Sequence, residues 1–176
     1  PAQAPSFHRL TFRAGNLGNA RFAPDGQTIV YGASWAGSST RTMYSMRVES
    51  PESRPYDFQE ADILAISSSG EMAFLLGDLG KGGILARAPL AGGAAREVLA
   101  GVQYAGADWT PDGKELAVIH SVGPGQDRLE YPIGKTLYET GGWISHVRIS
   151  PDGSRIAFLA HPTSSDGGSL AILDAA

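Results

Sequence analysis

The residues of this 176-residue chain that could do chemistry are few, and most fail on spacing. His8, His120, His146 and His161 stand singly, whereas a metal site needs ligands at short spacing or gathered by the fold. Asp25, Asp112 and Asp152 recur one per repeat, while a calcium loop needs several oxygens within about a dozen residues. They read as turn formers. The stretch Gly77-Asp78-Leu79-Gly80-Lys81-Gly82-Gly83 lacks the Gly-Lys-Ser/Thr ending of a phosphate loop and has no helix after it, so it reads as a loop between strands. No Gly-x-Ser-x-Gly elbow occurs, and no Ser/His pair sits in a recognisable context. Cysteine is absent, which removes disulfides, thiolate zinc sites and thiol nucleophiles. The sequence therefore assigns no catalytic residue, no metal ligand and no cofactor. What remain are groups suited to contact. Asn19, Asp62, Asp108 and His146 stand in the innermost strand of each repeat, and Trp35 and Trp143 stand at strand ends or loops. These six form the candidate binding face.

The elements that position them come from a repeat. Arg21-Phe22-Ala23-Pro24-Asp25-Gly26, Ile66-Ser67-Ser68-Ser69-Gly70, Asp108-Trp109-Thr110-Pro111-Asp112-Gly113 and Arg148-Ile149-Ser150-Pro151-Asp152-Gly153 each join two apolar runs. Their glycines stand 44, 43 and 40 residues apart. A period in the forties with a hairpin in every unit is the signature of propeller blades. Pro presets φ at the first turn position, Asp suits the second, and Gly takes the left-handed site of a G1-bulged hairpin. Phe22, Ile66, Trp109 and Ile149 precede each glycine by four positions. Ile29, Ala73, Leu116 and Ile156 follow it by three, and Tyr31, Leu75, Val118 and Phe158 by five. Such matched apolar positions are what blades buried on both faces require; an antiparallel sandwich is the alternative.

Third strands are expected at 42–48, 83–90, 127–133 and 169–173, and fourth strands near 55–58, 96–100 and 135–140. The last unit ends before a fourth strand. Residues 7–14 stand at fourth-strand spacing from Gly26 and are expected to complete that blade, because an open ring exposes unpaired edges. The expected architecture is all-β: a β-propeller with four four-stranded units (about 16–58, 59–101, 102–141 and 142–176 plus strand 7–14) after a linker at 1–5. It either closes as a four-bladed ring or forms a sector of a larger one.

A formal charge of −4 and a pI near 5.5 argue against a general nucleic-acid binder, which needs a basic face. No run of about 18 apolar residues exists to span a bilayer, and no secretory signal pattern is present. The opening Pro1-Ala2-Gln3-Ala4-Pro5 suggests a segment excised from a longer product.

Ala20-Arg21-Phe22-Ala23-Pro24-Asp25-Gly26 with Thr28-Ile29-Val30-Tyr31, and Arg148 through Phe158, resemble TolB-type β-propeller repeats, the WD-like Pro-Asp class. The resemblance covers about 7–173. A narrower likeness lies in Ser6-Phe7-His8-Arg9-Leu10-Thr11-Phe12-Arg13, Ser50-Pro51-Glu52-Ser53-Arg54, Leu85 through Gly93 and Gly142-Trp143-Ile144-Ser145-His146. These resemble the C-terminal propeller of bacterial eukaryote-like Ser/Thr protein kinases. That resemblance implies a non-catalytic sensing or regulatory region that binds a protein, a peptide or a small ligand, on the extracytoplasmic (periplasmic) side. It also implies more than four blades in the whole propeller. The chain itself carries no kinase signature. Two other functions fit the same repeats: an assembly element that self-associates through open blade edges, and the propeller gate of a prolyl-oligopeptidase-like peptidase.

Overall fold

The computed structural model describes residues 5–77, 82–163 and 165–175. The centre of the glycine-rich stretch (78–81) and most of the expected linker lie outside the described residues. Fourteen strands are described: β1 (Gly15–Phe22), β2 (Thr28–Trp35), β3 (Thr42–Arg47), β4 (Ser50–Gln59), β5 (Ala61–Ile66), β6 (Glu71–Leu76), β7 (Gly83–Pro89), β8 (Arg96–Trp109), β9 (Leu116–Gly123), β10 (Gln126–Glu130), β11 (Thr136–Thr140), β12 (Trp143–Ile149), β13 (Arg155–His161) and β14 (Ser169–Asp174). They form three antiparallel sheets, ordered β1-β2-β3-β4, β5-β6-β7-β8-β9-β10-β11 and β12-β13-β14.

The seven-stranded sheet is two blades joined by one long strand. The first half of β8 pairs with β7 and its second half with β9, and the register breaks between Val102 and Ala107. At that break Ala105 adopts φ 57°, a bulge that turns the chain from the rim of one blade into the centre of the next. Sequence placed a fourth strand ending near residue 100; the strand instead continues through the bulge to Trp109. The third strand expected at 127–133 stops at Glu130, because Tyr131, Pro132 and Lys135 form a turn with Tyr131 N–H on Lys135 O at 2.9 Å.

The four repeated turns hold as expected. Gly26, Gly70, Gly113 and Gly153 have φ between 64° and 81°, a region glycine enters without a Cβ penalty. Each donates its N–H to the carbonyl three residues back (Ala23, Ser67, Thr110, Ser150) at 2.8–3.0 Å. The second unit departs on its far side. Ala23, Thr110 and Ser150 reach five residues ahead to close their hairpins, but Ser67 reaches only four, to Glu71. Ile66 consequently pairs with Met72, while Phe22, Trp109 and Ile149 pair with Ile29, Leu116 and Ile156. The true partners of Ile29 and Tyr31 in this unit are Met72 and Phe74. Ala73 and Leu75, the expected ones, face the opposite neighbour, since a one-residue slip inverts a strand.

Apolar clusters fill each gap between blades. Val30, Met43, Ile63, Met72 and Phe74 pack between the first and second, and Leu64, Leu75, Leu85, Trp109 and Val118 between the second and third. Ile119, Leu129, Ile144, Val147, Ile156 and Phe158 pack between the third and fourth. Arg87 reinforces the middle gap: it forks onto Glu71 (2.9 and 2.5 Å) and lies 4.5 Å over the Trp109 ring. The inner strands β1, β5, β8 and β12 touch in succession, as blades around an axis must.

The ring is open. Residues 7–14 form no strand and do not complete the last sheet, which has three strands. They cross the outer face of the first blade instead, where Leu10 packs with Tyr31, Trp35 and Met46 and the Arg13 guanidinium sits 4.8 Å over the Trp35 ring. The reason is physical: that face carries three mutually packed aromatic rings (Tyr31, Trp35, Tyr44) with no blade before it. Leu10 and the Arg13 guanidinium cover part of that apolar face, which favours this course of the chain. Phe22 on this side stays 62% exposed, and Leu170 and Ile172 on β14 stay 71% and 60% exposed. The fold is therefore a partial propeller, the sector alternative rather than the closed four-bladed ring.

Candidate functional site

The candidate site is built by the four inner strands. Each carries a register break at its middle: between Leu17 and Ala20 in β1, Ile63 and Ala65 in β5, Val102 and Ala107 in β8, and Ser145 and Arg148 in β12. Bulges loosen the ladder and re-aim side chains there. His146 adopts φ 57° at its bulge and is exposed.

Two of the expected residues, Asn19 and Asp62, meet in a clasp between the first two blades. Asp62 is fully buried; its Oδ2 lies 2.6 Å from Arg41 Nη1, and its oxygens accept the Asn19 N–H at 3.3 and 3.4 Å. Gly18 and Gly32 make room for it, since a Cβ on either would collide with the carboxylate. Burial raises the Asp62 carboxyl above the usual range, against the pull of Arg41 and the Asn19 N–H. The Asn19 amide nitrogen is buried with no partner among the described residues. The Tyr104 phenol beside this pair is raised by burial and then by the Asp62 carboxylate.

Asp108 makes the corresponding reach from the third blade to the fourth: its Oδ2 accepts the Ile149 N–H at 2.9 Å. Asp127 does the same from β10, two strands further out, taking the Ile144 N–H at 3.0 Å. Burial raises the Asp108 carboxyl, opposed by the Ile149 N–H and by Arg148. Arg21, on the first inner strand, is lowered by burial and then by Arg148, with Asp108 and Asp62 acting in the other direction. The inner rim thus gathers Arg21, Tyr104, Asp108 and Arg148 from three inner strands.

His146 donates to or accepts from Ser145 Oγ at 2.9 Å, and Ser145 Oγ lies 3.3 Å from buried His161 Nε2. Trp143 stacks on the His161 ring (3.6 Å, 5°) and donates Nε1–H to Ser165 O at 3.2 Å. Its other surroundings form a cleft of about 370 Å³ with Gln103, Gly125, Gly141 and Gly142. Trp35 lies elsewhere. It is buried on the outer face of the first blade, in the cluster of Tyr31, Ala33 and Met46. Among the described residues no three His, Asp or Glu side chains come together as metal ligands would.

Sequence reasoning missed Arg21, Arg41, Tyr104 and Arg148. A signal existed for two of them. Arg21, Asp108 and Arg148 all stand five positions before a turn glycine, where the second unit has Ala65. Arg41 had none, because its partner Asp62 lies in the next repeat.

No family model matches the chain, and no curated protein matches it. Solved structures do. TolB from Acinetobacter baumannii superposes with a TM-score of 0.72 at 21% identity, over 91% of this chain and 41% of that one. The β-propeller domain of the trilobed protease from Pyrococcus furiosus, described as having an open velcro topology, gives 0.59 at 14% identity, over 93% and 56%. The acylaminoacyl peptidase from Pyrococcus horikoshii gives 0.60 at 14%, over 92% and 31%. The chain thus spans about two-fifths of that TolB and less than a third of the peptidase. At these identities the likeness speaks for the fold, and with the open sheets described above it makes this chain a partial β-propeller whose structural neighbours are TolB-like propeller domains.

Proposed function

We propose that the chain is a non-catalytic binding module that docks a protein, peptide or small ligand at the inner ends of its blades. The observation that carries this reading is the bulged inner strands, which present Arg21, Tyr104, Asp108, His146 and Arg148 on a scaffold locked by buried inter-blade contacts. Rigid presentation lowers the ordering cost of binding. Asn19 and Asp62 serve this face from beneath, as the clasp that fixes β1 against β5. Trp143 borders it through its cleft. No helix among the described residues is long and apolar enough to cross a membrane.

The finer reading is a sensor or regulatory region of a bacterial Ser/Thr protein kinase on the periplasmic side. Its support is the resemblance of the segments around Phe7, Ser50, Ala88 and Trp143. The coding sequence flanking residues 1 and 176 tests it: a protein-kinase region upstream supports the assignment, and an α/β-hydrolase region favours the peptidase gate instead.

The docking reading is tested by selecting peptides from a random displayed library on the immobilised chain and mapping the best binder by NMR. Shifts clustered on β1, β8 and β12 around Tyr104 and His146 are expected. Binders that map to the outer strands β4 and β11, or no binder at all, would overturn it. A second reading, assembly through the open edge, has its own observation in β14, whose outward residues Leu170 and Ile172 are uncovered. Concentration-dependent association measured by light scattering decides that one.

A further inference from the structure

Trp143 opens the inner strand of the fourth blade, and its indole is held from two directions. One ring face stacks on buried His161 (3.6 Å, 5°), whose Nε2 lies 3.3 Å from Ser145 Oγ. The Nε1–H donates to Ser165 O at 3.2 Å. The ring is therefore set in place before any ligand arrives, which lowers the ordering cost of binding. Trp143 also lines the cleft of about 370 Å³ with Gln103, Gly125, Gly141 and Gly142. That volume sits at the small end of ligand pockets, so it suits a short ligand. Most of its lining residues are glycines, so no side chain fills it, and none of the five carries a charge.

Gln103 supplies the polar group. Its Nε2 donates to Asp127 Oδ1 at 3.3 Å, and the other Asp127 oxygen takes the Ile144 N–H at 3.0 Å. Asp127 is buried with both oxygens engaged, so it holds the Gln103 amide in place rather than facing a ligand. Among the described residues the Gln103 Oε1 and second Nε2–H have no partner. These features select a chemistry. A flat C–H face packs on an indole, where positive C–H edges meet the negative face of the ring. An amide oxygen beside an amide N–H matches two adjacent hydroxyls, each of which both donates and accepts. An uncharged cleft favours an uncharged ligand, since a charge there would lose water without gaining a partner. A pyranose with equatorial hydroxyls has each of these properties. A proline ring offers the flat face but no O–H for Gln103 Oε1. We propose that the Trp143 cleft binds a neutral hexopyranose ring, stacked on the indole and hydrogen-bonded by the Gln103 amide. This rests on the docking reading above and names the class of small ligand.

The test titrates the ¹⁵N-labelled chain with cellobiose, with mannitol as an open-chain polyol, and with acetyl-Pro-Pro-Pro-Pro-amide. It follows the Trp143 Nε1–H and Gln103 Nε2–H resonances, with the indoles of Trp35 and Trp109 as references. Cellobiose should move both site signals together and saturate in the millimolar range, leaving the references in place. Mannitol and the proline peptide should move neither. Trp143→Ala, followed through the Gln103 signal, should weaken cellobiose about tenfold or more, the loss of an aromatic anchor. Gln103→Ala should weaken it about fivefold, the loss of a neutral hydrogen bond. No saturable shift with cellobiose, an equal effect of mannitol, or a proline peptide that moves Trp143 as strongly would overturn the proposal. The wild-type titrations decide this even where a variant folds poorly. The two readings fail separately. If library binders map around Tyr104 and His146 while cellobiose moves nothing, the sugar site is wrong and the docking face stands. If cellobiose moves Trp143 and Gln103 while library binders map to the outer strands, the sugar site stands and the wider docking face is wrong.

Discussion

Arg41→Ala tests the energetic logic of the inter-blade clasp. Asp62 is fully buried between Gly18 and Gly32, and its charge is met by Arg41 at 2.6 Å and by one long N–H contact from Asn19. Removing the guanidinium leaves a carboxylate in a dry gap, and breaking a buried pair from one side costs about 3–5 kcal/mol. The Arg41 side chain keeps 23% of its exposure, so the lower end applies, about 3 kcal/mol. With a urea m-value of about 2 kcal/mol/M, the unfolding midpoint falls by about 1.5 M at pH 7. Asp62→Asn keeps the volume, removes the charge and lets Arg41 turn to solvent, at about 1 kcal/mol. The pH dependence separates this account from a mere packing loss. Burial raises the folded Asp62 pKa above its unfolded value, so the folded state binds the extra proton and stability falls as pH rises through the folded pKa. Without Arg41 that pKa climbs further. The deficit of Arg41→Ala should therefore shrink between pH 7 and pH 5, while the Arg41→Ala/Asp62→Asn double variant shows no such recovery. Equal losses in the two single variants, or a deficit unchanged at pH 5, would refute the reasoning.

Other perturbations follow from the same geometry. Gly18→Ala drives a methyl into the Asp62 carboxylate and Arg41, and should cost about 3 kcal/mol in urea unfolding. Gly26→Ala meets only open space and incurs the left-handed penalty of about 1 kcal/mol, whereas Gly113→Ala, whose Cβ would also lie 3.0 Å from Ser68 Oγ, should lose more in thermal unfolding. Asp25 is held down to about 2 by the Thr28 and Gln27 N–H groups, and Asp152 to about 2 by the Ser150 hydroxyl and the Ser154 N–H. Their contribution is complete above the unfolded carboxyl pKa and lost as pH falls through about 2, so Asp25→Asn/Asp152→Asn should flatten the acid side of the stability curve between about pH 4 and pH 2. Phe22→Ala should change stability by about 0.5 kcal/mol or less, since Phe22 has no blade against it, while Ile149→Ala at the same register should cost about 2 kcal/mol.

The repeats were legible because a hairpin turn is a local object. Pro-Asp-Gly fixes φ at three consecutive residues, and nothing distant changes what Gly26, Gly113 and Gly153 must do. The slip at Met72 was hidden for the opposite reason. Ser-Ser-Ser-Gly keeps the glycine but drops a residue after it, and only the ladder reveals which strand residue then meets Ile66. Residues 7–14 had the spacing of a fourth strand, but spacing does not weigh an edge ladder against the aromatic face of the first blade. Asn19, Asp62 and Asp108 were singled out by position; that Asp62 holds the Asn19 N–H and Asp108 the Ile149 N–H of a neighbouring blade is a tertiary fact. Trp35 was grouped with Trp143 by its place at a strand end, where a packing role was also open; that Leu10 and Arg13 cover it on the first blade is a tertiary fact.

What separates structural from functional positions in this chain is the contrast between neighbouring registers. Four residues before each turn glycine the side chain points at the preceding blade, and it is always large and apolar: Phe22, Ile66, Trp109 and Ile149. One residue earlier the demand disappears, and the chain places Arg, Ala, Asp and Arg there. Packing alone cannot account for that series, because Ala65 is buried among Leu64, Leu75 and Trp109 while Arg21 and Arg148 fold back onto the carbonyls of Ala20 and Val147. A position whose geometry repeats while its charge varies is one the scaffold leaves open. In a propeller such positions meet around a common axis, so few substitutions suffice to write a specific electrostatic pattern onto an otherwise uniform frame. Replacing Asp108 by Asn is then the sharpest probe of that pattern. It retains an oxygen for the Ile149 N–H and so should leave the fold intact, yet it removes the negative charge from the inner strands and should change the affinity of a library-selected peptide several-fold. An unchanged affinity would mean that the bound peptide does not read the charge at this position.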